Sequence, residues 1–105
     1  MKKRSVEFAP EARDDLIALY DWIADRAGGR VAMDYIGRIE SFCAKFDIAS
    51  ERGTRRDDIR KGLRVVAFER RINVAFVVED DRVVILRLFN GGRDWGMPDH
   101  WEKSV

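Results

Sequence analysis

The apolar residues of this chain keep two different periods, one after the other, and that change constrains the fold more than any other feature. Ala12, Leu16, Leu19, Tyr20, Ile23, Ala24 and Ala27, then Ala32, Tyr35, Ile36, Ile39, Phe42, Cys43 and Phe46, recur at steps of three and four, the spacing of one helical face. From residue 63 onward the pattern is instead three runs rich in β-branched residues, Leu63–Phe68, Ile72–Val78 and 83–89. Glu69-Arg70-Arg71 and Glu79-Asp80-Asp81-Arg82 separate the runs, spacings that suit tight hairpins. Gly28-Gly29 divides the two helical stripes and predicts a helix hairpin, with glycine closing the first helix in the left-handed conformation. Ahead of both, Ser5-Val6-Glu7-Phe8 alternates as a short strand does, and Pro10 suits a first helical turn because its missing N–H costs nothing there. Glu11, Asp14 and Asp15 follow, where the helix dipole favours negative charge.

The order is strand, helix, helix, strand, strand, strand. It predicts an α+β domain of two layers, β-α-α-β-β-β, with the helix hairpin packed on an antiparallel-dominated sheet. The first strand has a helix as its sequence neighbour, so it must join a sheet formed much later in the chain. With 105 residues, 46% of them apolar, residues 1–105 are enough for one domain with one core. Between helices and strands, residues 47–62 form a long polar connection, and Asn90-Gly91-Gly92 is expected to end the last strand.

Several classes of protein are set aside. No apolar run approaches the ~20 residues that cross a bilayer, so no membrane association is expected. Met1-Lys2-Lys3-Arg4 begins as a signal peptide does, but Glu7, Pro10, Glu11 and Arg13 interrupt any apolar stretch after it. Cys43 is the single cysteine, which forbids an internal disulfide and suits a reducing cytoplasm. One histidine and one cysteine make no zinc cluster; no metal and no cofactor are expected.

The charge is nearly balanced, +1 from 20 Lys+Arg and 19 Asp+Glu, yet it is unevenly placed. Residues 52–71 hold Arg52, Arg55, Arg56, Arg60, Lys61, Arg64, Arg70 and Arg71 against Asp57, Asp58 and Glu69, an excess of +5 within twenty residues. Such a patch suits nucleic acid or an acidic protein surface. A solvated loop whose arginines pair with Asp57 and Asp58 is the competing account. Arg64 and Arg87 stand inside apolar runs, where an unpaired buried charge is costly. By period two, Arg64 lies with Val66 and Phe68, and Arg87 with Ile85 and Phe89. Each either snorkels from a strand edge or lines a groove for a charged partner.

Constellations for catalysis are thin. His100 has no evident group to orient it as a general base. Cys43 sits on the apolar stripe of the second helix and reads as a small core residue. Asp14-Asp15 and Asp57-Asp58 are adjacent, which points each pair apart, and helix solvation and loop turns account for them.

Taken together, Val6-x-Phe8-x-Pro10-x-Ala12-x-x-Asp15-Leu16, Tyr20-x-x-Ile23-Ala24, Gly53-x-x-Arg56-x-Asp58-Ile59-Arg60-x-Gly62-Leu63-Arg64 and Gly92-Arg93-Asp94 resemble the ParE/RelE superfamily of toxins from type II toxin–antitoxin modules. The likeness runs along roughly residues 5–95 and is closer to ParE. That branch implies inhibition of DNA gyrase by binding, and neutralisation by a ParD-like antitoxin in a hetero-oligomer. On this resemblance Arg56, Arg60, Arg64, Arg70, Arg71, Arg87, Arg93 and Trp95 are the candidates for target binding, with residues 93–101 sharing that surface. Leu16, Tyr20, Ile23, Tyr35 and Ile39 are the candidates for antitoxin binding, and Trp95 and Trp101 are anchors or tail packing. The alternative is RelE-like cleavage of mRNA in the ribosome, for which Arg64, Arg70, Arg71 and His100 are the catalytic candidates. Against it, the only tyrosines lie on the helices, and Asn90-Gly91 stands where many relatives have His-Gly; asparagine cannot titrate. A third reading is a non-toxic binding module of the same fold.

Overall fold

The computed structural model describes residues 3–90. Ser5–Phe8 forms β1, Pro10–Ala27 α1 and Gly29–Ala44 α2, followed by a 3₁₀ turn at Lys45–Asp47. Thr54–Arg55, Leu63–Phe68, Ile72–Val78 and Arg82–Asn90 are β2 to β5. The sheet runs β1-β5-β4-β3-β2. β1 lies parallel to β5, pairing Ser5 with Arg82 and Phe8 with Ile85; the other three pairings are antiparallel. The two-layer α+β order read from the periods is the one adopted, and β1 joins the last strand as its isolation required. The short β2 lies within the stretch read as polar connection, and Asn90 is the last residue of β5 rather than a terminator.

One sheet face carries the main core. Ala12 of α1, Ile39 and Cys43 of α2, and Phe46 pack with Phe68, Ile72, Val74, Phe76, Val83, Ile85 and Leu88. Aromatic rings join the layers, with Phe46 4.7 Å from Phe76 and Phe42 5.1 Å from Phe68, separations at which ring pairs attract. Cys43 is fully buried; burial, with the charge of Glu40 adding to it, pushes its thiol up to about 12, so it stays a neutral core group. The opposite face is smaller, with Leu63 and Ala75 buried beside Ile59, Val65, Val77, Leu86 and Phe89.

Three local features depart from the simple periods. Gly28 is the only residue between the helices, and Gly29 opens α2. Its φ of 94° is positive but its ψ is 160°, so it is not in the left-handed helical conformation. Its N–H still bonds the Ala24 carbonyl and its carbonyl takes the Ala32 N–H, so one residue ends one helix and begins the next.

The second departure is a bulge. Ala75 pairs with Arg87 but Phe76 pairs with Ile85, which leaves Leu86 as an extra residue on β5. An inserted residue breaks the two-residue alternation. Ile85 and Leu88 therefore both enter the helix-covered core, while Leu86 and Phe89 pack on the other side. Ile85 and Phe89, which strict alternation places together, thus lie on opposite faces. The third is Arg4, whose guanidinium bonds the Glu79 carbonyl and the buried Ser50 hydroxyl while its N–H bonds Asp47. It ties the entry to β1 onto two distant turns.

Candidate functional site

The loop from β2 to β3 is built by its glycines. Gly53 has a φ of +76°, and a Cβ there would lie 2.4 Å from the Val65 carbonyl oxygen; only glycine lets the loop lie this close to β3. Gly62, at φ +81°, turns the chain back so that its N–H donates to Asp57 Oδ1 at 2.7 Å. Arg56 and Leu63 close the loop through an N–H to carbonyl bond of 2.8 Å, and Ile59 anchors it on the second apolar cluster.

The loop's charges divide into two kinds. Arg55 pairs with Asp57, and Arg56 grips both oxygens of Asp58 at 3.0 Å. The Gly62 N–H first and Arg55 second hold the Asp57 carboxyl below its usual range, and Arg56 does the same to Asp58. This much agrees with the account of a self-paired loop. Arg52 lies over the Phe42 and Phe46 rings at 5.5 and 5.2 Å, covering the end of the core. Arg60, Lys61 and Arg64 have no carboxylate partner among the described residues; Arg64 donates only to the Arg52 carbonyl, at 3.4 Å.

Arg70 and Arg71 stand elsewhere. β3 separates them from Arg64, by roughly 15–20 Å of extended backbone, so the excess of +5 is not one patch. They belong to the β3–β4 turn, where Glu69 and Arg70 have φ of 49° and 61° and the Arg71 N–H bonds the Phe68 carbonyl. Two consecutive positive φ values mark a type I′ turn, usually built from Asn and Gly. Arg38 of α2 holds Glu69 with two bonds of 3.0 and 3.1 Å, which keeps that carboxyl below its ordinary range. The turn is thereby fixed to the helix layer, and the nearest carboxylate is taken away from Arg70 and Arg71.

Arg87 is not a free target-facing group. Its guanidinium makes two bonds to Asp15 of α1, at 2.7 and 3.0 Å, and Asp15 also accepts the Leu88 N–H at 2.9 Å. Both side chains are under one-fifth exposed. The pair joins α1 to β5 beyond the point where β1 stops pairing. Asp15 thus has a partner that its place near the start of α1 did not announce, and the Arg87 guanidinium, expected to face a target, is engaged within the chain.

The helix layer leaves an opening beside this seam. On α1 only Ala12 is fully buried, while Ile17, Trp22, Val31 and Met33 are half or more exposed. A groove of about 740 Å³ runs between the hairpin and the adjoining ends of β4 and β5, with Leu19, Ile23, Ala27, Leu88 and Phe89 among its apolar lining and Arg26 and Arg71 among its basic lining. Of the residues expected to meet an antitoxin, Ile23 and Tyr35 line it. Leu16 is half-buried against the core and Tyr20 is half-buried on α1. Ile39 is fully buried and presents nothing to a partner, because α2 turns that position into the core. Arg93, Trp95, His100 and Trp101, and the motif Gly92-Arg93-Asp94, lie outside the described residues. Among the described residues no group of three His, Cys, Asp or Glu gathers in a metal-binding arrangement, and no helix is long and apolar enough to cross a membrane.

The comparisons speak to the family and the fold. The family model described as the ParE toxin of the type II toxin–antitoxin system parDE matches residues 6–95. No curated protein matches the chain in sequence. Among solved structures, a chain of the chromosomal ParDE toxin–antitoxin system from P. aeruginosa is similar, at a TM-score of 0.74 and 23% identity over 84% of this chain and 96% of that one. The toxin–antitoxin complex RelBE2 from Mycobacterium tuberculosis includes a chain similar at 0.59 and 20% identity, over 86% and 93%. A conserved hypothetical protein from Helicobacter pylori is similar at 0.51 and 13% identity, over 86% and 97%. At these identities the structural likeness speaks to the fold alone.

Proposed function

This chain belongs to the ParE toxin family of type II toxin–antitoxin systems, and on that premise we propose that it arrests growth by binding DNA gyrase in the cytoplasm, with a ParD-like antitoxin as its neutralising partner. The observation that carries binding rather than RNA cleavage is the separation of the cations. Stabilising a strained phosphate needs several donors converging on one group. Arg64 and the Arg70-Arg71 pair stand at opposite ends of β3, and Tyr35 belongs to the groove rather than to the cationic loop. Arg60 and Lys61 on the loop tied down by Gly53 and Gly62, with Arg64 beside them at the start of β3, suit a broad acidic target surface. The groove beside α1 suits an amphipathic antitoxin helix, and the open edge of β3 past the two-residue β2 suits an added strand.

The test is a gyrase cleavage assay with purified protein, supercoiled plasmid and ATP. Linear DNA should accumulate with the native chain, and not with Arg60→Glu/Arg64→Glu, a variant whose melting temperature should be unchanged. No effect of the native chain on gyrase would overturn the target. Site-specific message cuts, seen by primer extension in expressing cells, would move the reading to a ribosomal endonuclease.

A further inference from the structure

One polar group in the groove has no counterpart among the described residues. Tyr35 lines the groove, its ring set edge-on to Phe68 at 5.7 Å, and its hydroxyl is buried with no hydrogen-bond partner among the described residues. Buried polar groups almost always find a partner, and an unpaired one is costly to the free protein. Arg71 lines the same groove and makes no hydrogen bond or close ion pair to a carboxylate among the described residues; it acts on Glu69 only through its charge, since Arg38 occupies both oxygens. Arg26, the other basic residue of the lining, is engaged with Trp22, over whose ring it lies at 4.0 Å and whose carbonyl it bonds. The remaining charge in the groove, Asp15, is neutralised by Arg87. The groove is thus largely apolar in its lining, net positive, and supplied with one unsatisfied hydroxyl.

We propose that this groove selects an amphipathic partner helix by a carboxylate on the flank of its apolar stripe, which pairs with Arg71 and accepts the Tyr35 hydroxyl. The inference rests on the antitoxin reading of the groove and specifies the chemistry of that partner. A neutral stripe would cover the apolar lining and leave both groups unanswered, whereas an Asp or Glu answers both. Because the hydroxyl is buried in the free chain, pairing with it requires the groove wall around Tyr35 to open on binding. Burial first, and Glu69 second, raise the Tyr35 pKa, so the hydroxyl keeps its proton and acts as a donor at neutral pH.

Peptide display against the full-length chain tests this, using an 18-residue helical library with a fixed leucine stripe and randomised flanks. Asp or Glu should be enriched at one flank position. The enriched peptides should bind about ten-fold more weakly to Tyr35→Phe and to Arg71→Gln, and versions with alanine in place of the acid should be indifferent to both changes. Tyr35→Phe should leave the melting temperature equal or higher, since it removes an unpaired hydroxyl; a purely structural tyrosine would lower it. Neutral or basic flanks among peptides that still lose binding to Ile23→Asp would overturn the carboxylate while sparing the groove. Binding that survives Ile23→Asp would overturn the groove reading itself. Self-association abolished by Ile23→Asp, without acidic selection, would assign the groove to a second copy of the chain and overturn the proposal.

Discussion

The seam between α1 and β5 and the loop between β2 and β3 use the same chemistry, arginine against aspartate, to different ends. At the seam, Arg87 and Asp15 are mostly shielded from water and Asp15 also serves the Leu88 N–H. Attraction there is little screened, and removing one partner strands the other. In the loop, Arg55–Asp57 and Arg56–Asp58 are largely exposed, and pairs of that kind contribute little to stability. What fixes the loop is backbone: Gly53 against β3, Gly62 turning at positive φ, and the Arg56 to Leu63 bond. An ion pair is structural in one place and decorative in the other, and only the second place leaves cations available to a partner.

Breaking the seam should have the largest effect. Arg87→Ala should cost about 3 kcal/mol in urea unfolding, the scale for stranding one partner of a shielded pair. Arg87→Met with Asp15→Leu should recover much of that loss, although the Leu88 N–H then has no acceptor. A loss from Arg87→Ala no greater than that from Arg56→Gln would abolish the contrast. Next comes Gly53→Ala, which sets a Cβ against the Val65 carbonyl at positive φ and should cost about 2 kcal/mol. If it does not, the loop is not held by backbone. Third, Arg70→Gly relieves one of two left-handed residues in the β3–β4 turn and should stabilise the chain by about 0.5–1 kcal/mol, read as a raised urea midpoint.

How far the sequence could be read follows the same divide. β1, β3 and β4 begin and end where the alternation does, and both helices follow their stripes, because period is set by burial on one face. The fold was therefore legible. The bulge at Leu86 was not: alternation carries no mark of an inserted residue, so Ile85 and Phe89 were grouped on one face although they pack on opposite sides, and the link of Arg87 to Asp15 went unseen for a separate reason. Asp15, early in a helix, had a sufficient local explanation in the helix dipole, and nothing nearby in sequence pointed to a partner 72 residues away. In the candidate site, the charge count located the arginines but merged two groups that β3 holds apart. Gly53, Arg56, Asp58 and Gly62 carried the family likeness, and their contacts are those of loop closure, which explains why residue types alone were a poor guide to what touches a partner. Gly28-Gly29 marked the helix junction, where Gly28 alone takes a positive φ and Gly29 lies close under the Tyr20 hydroxyl.

The smallest effect falls on the loop's own ion pair and sharpens the contrast through pH. Asp57 is held below its ordinary range by the Gly62 N–H and Arg55. A carboxyl lowered in the folded state contributes stability above its unfolded value, about 3.9, and loses it as pH falls through the lower folded value. The Gly62 amide resonance should therefore be flat from neutral pH down to about 4 and shift only below that, while the urea midpoint scarcely responds to this exposed group. Asp57→Asn keeps an oxygen for the Gly62 N–H but removes the charge, so that amide should stop titrating with the loop still closed. A Gly62 amide that titrates at or above the ordinary carboxylate value would mean that Asp57 does not hold it. The backbone alone would then close the loop, and Arg55 would join Arg60, Lys61 and Arg64 as a cation free for the target.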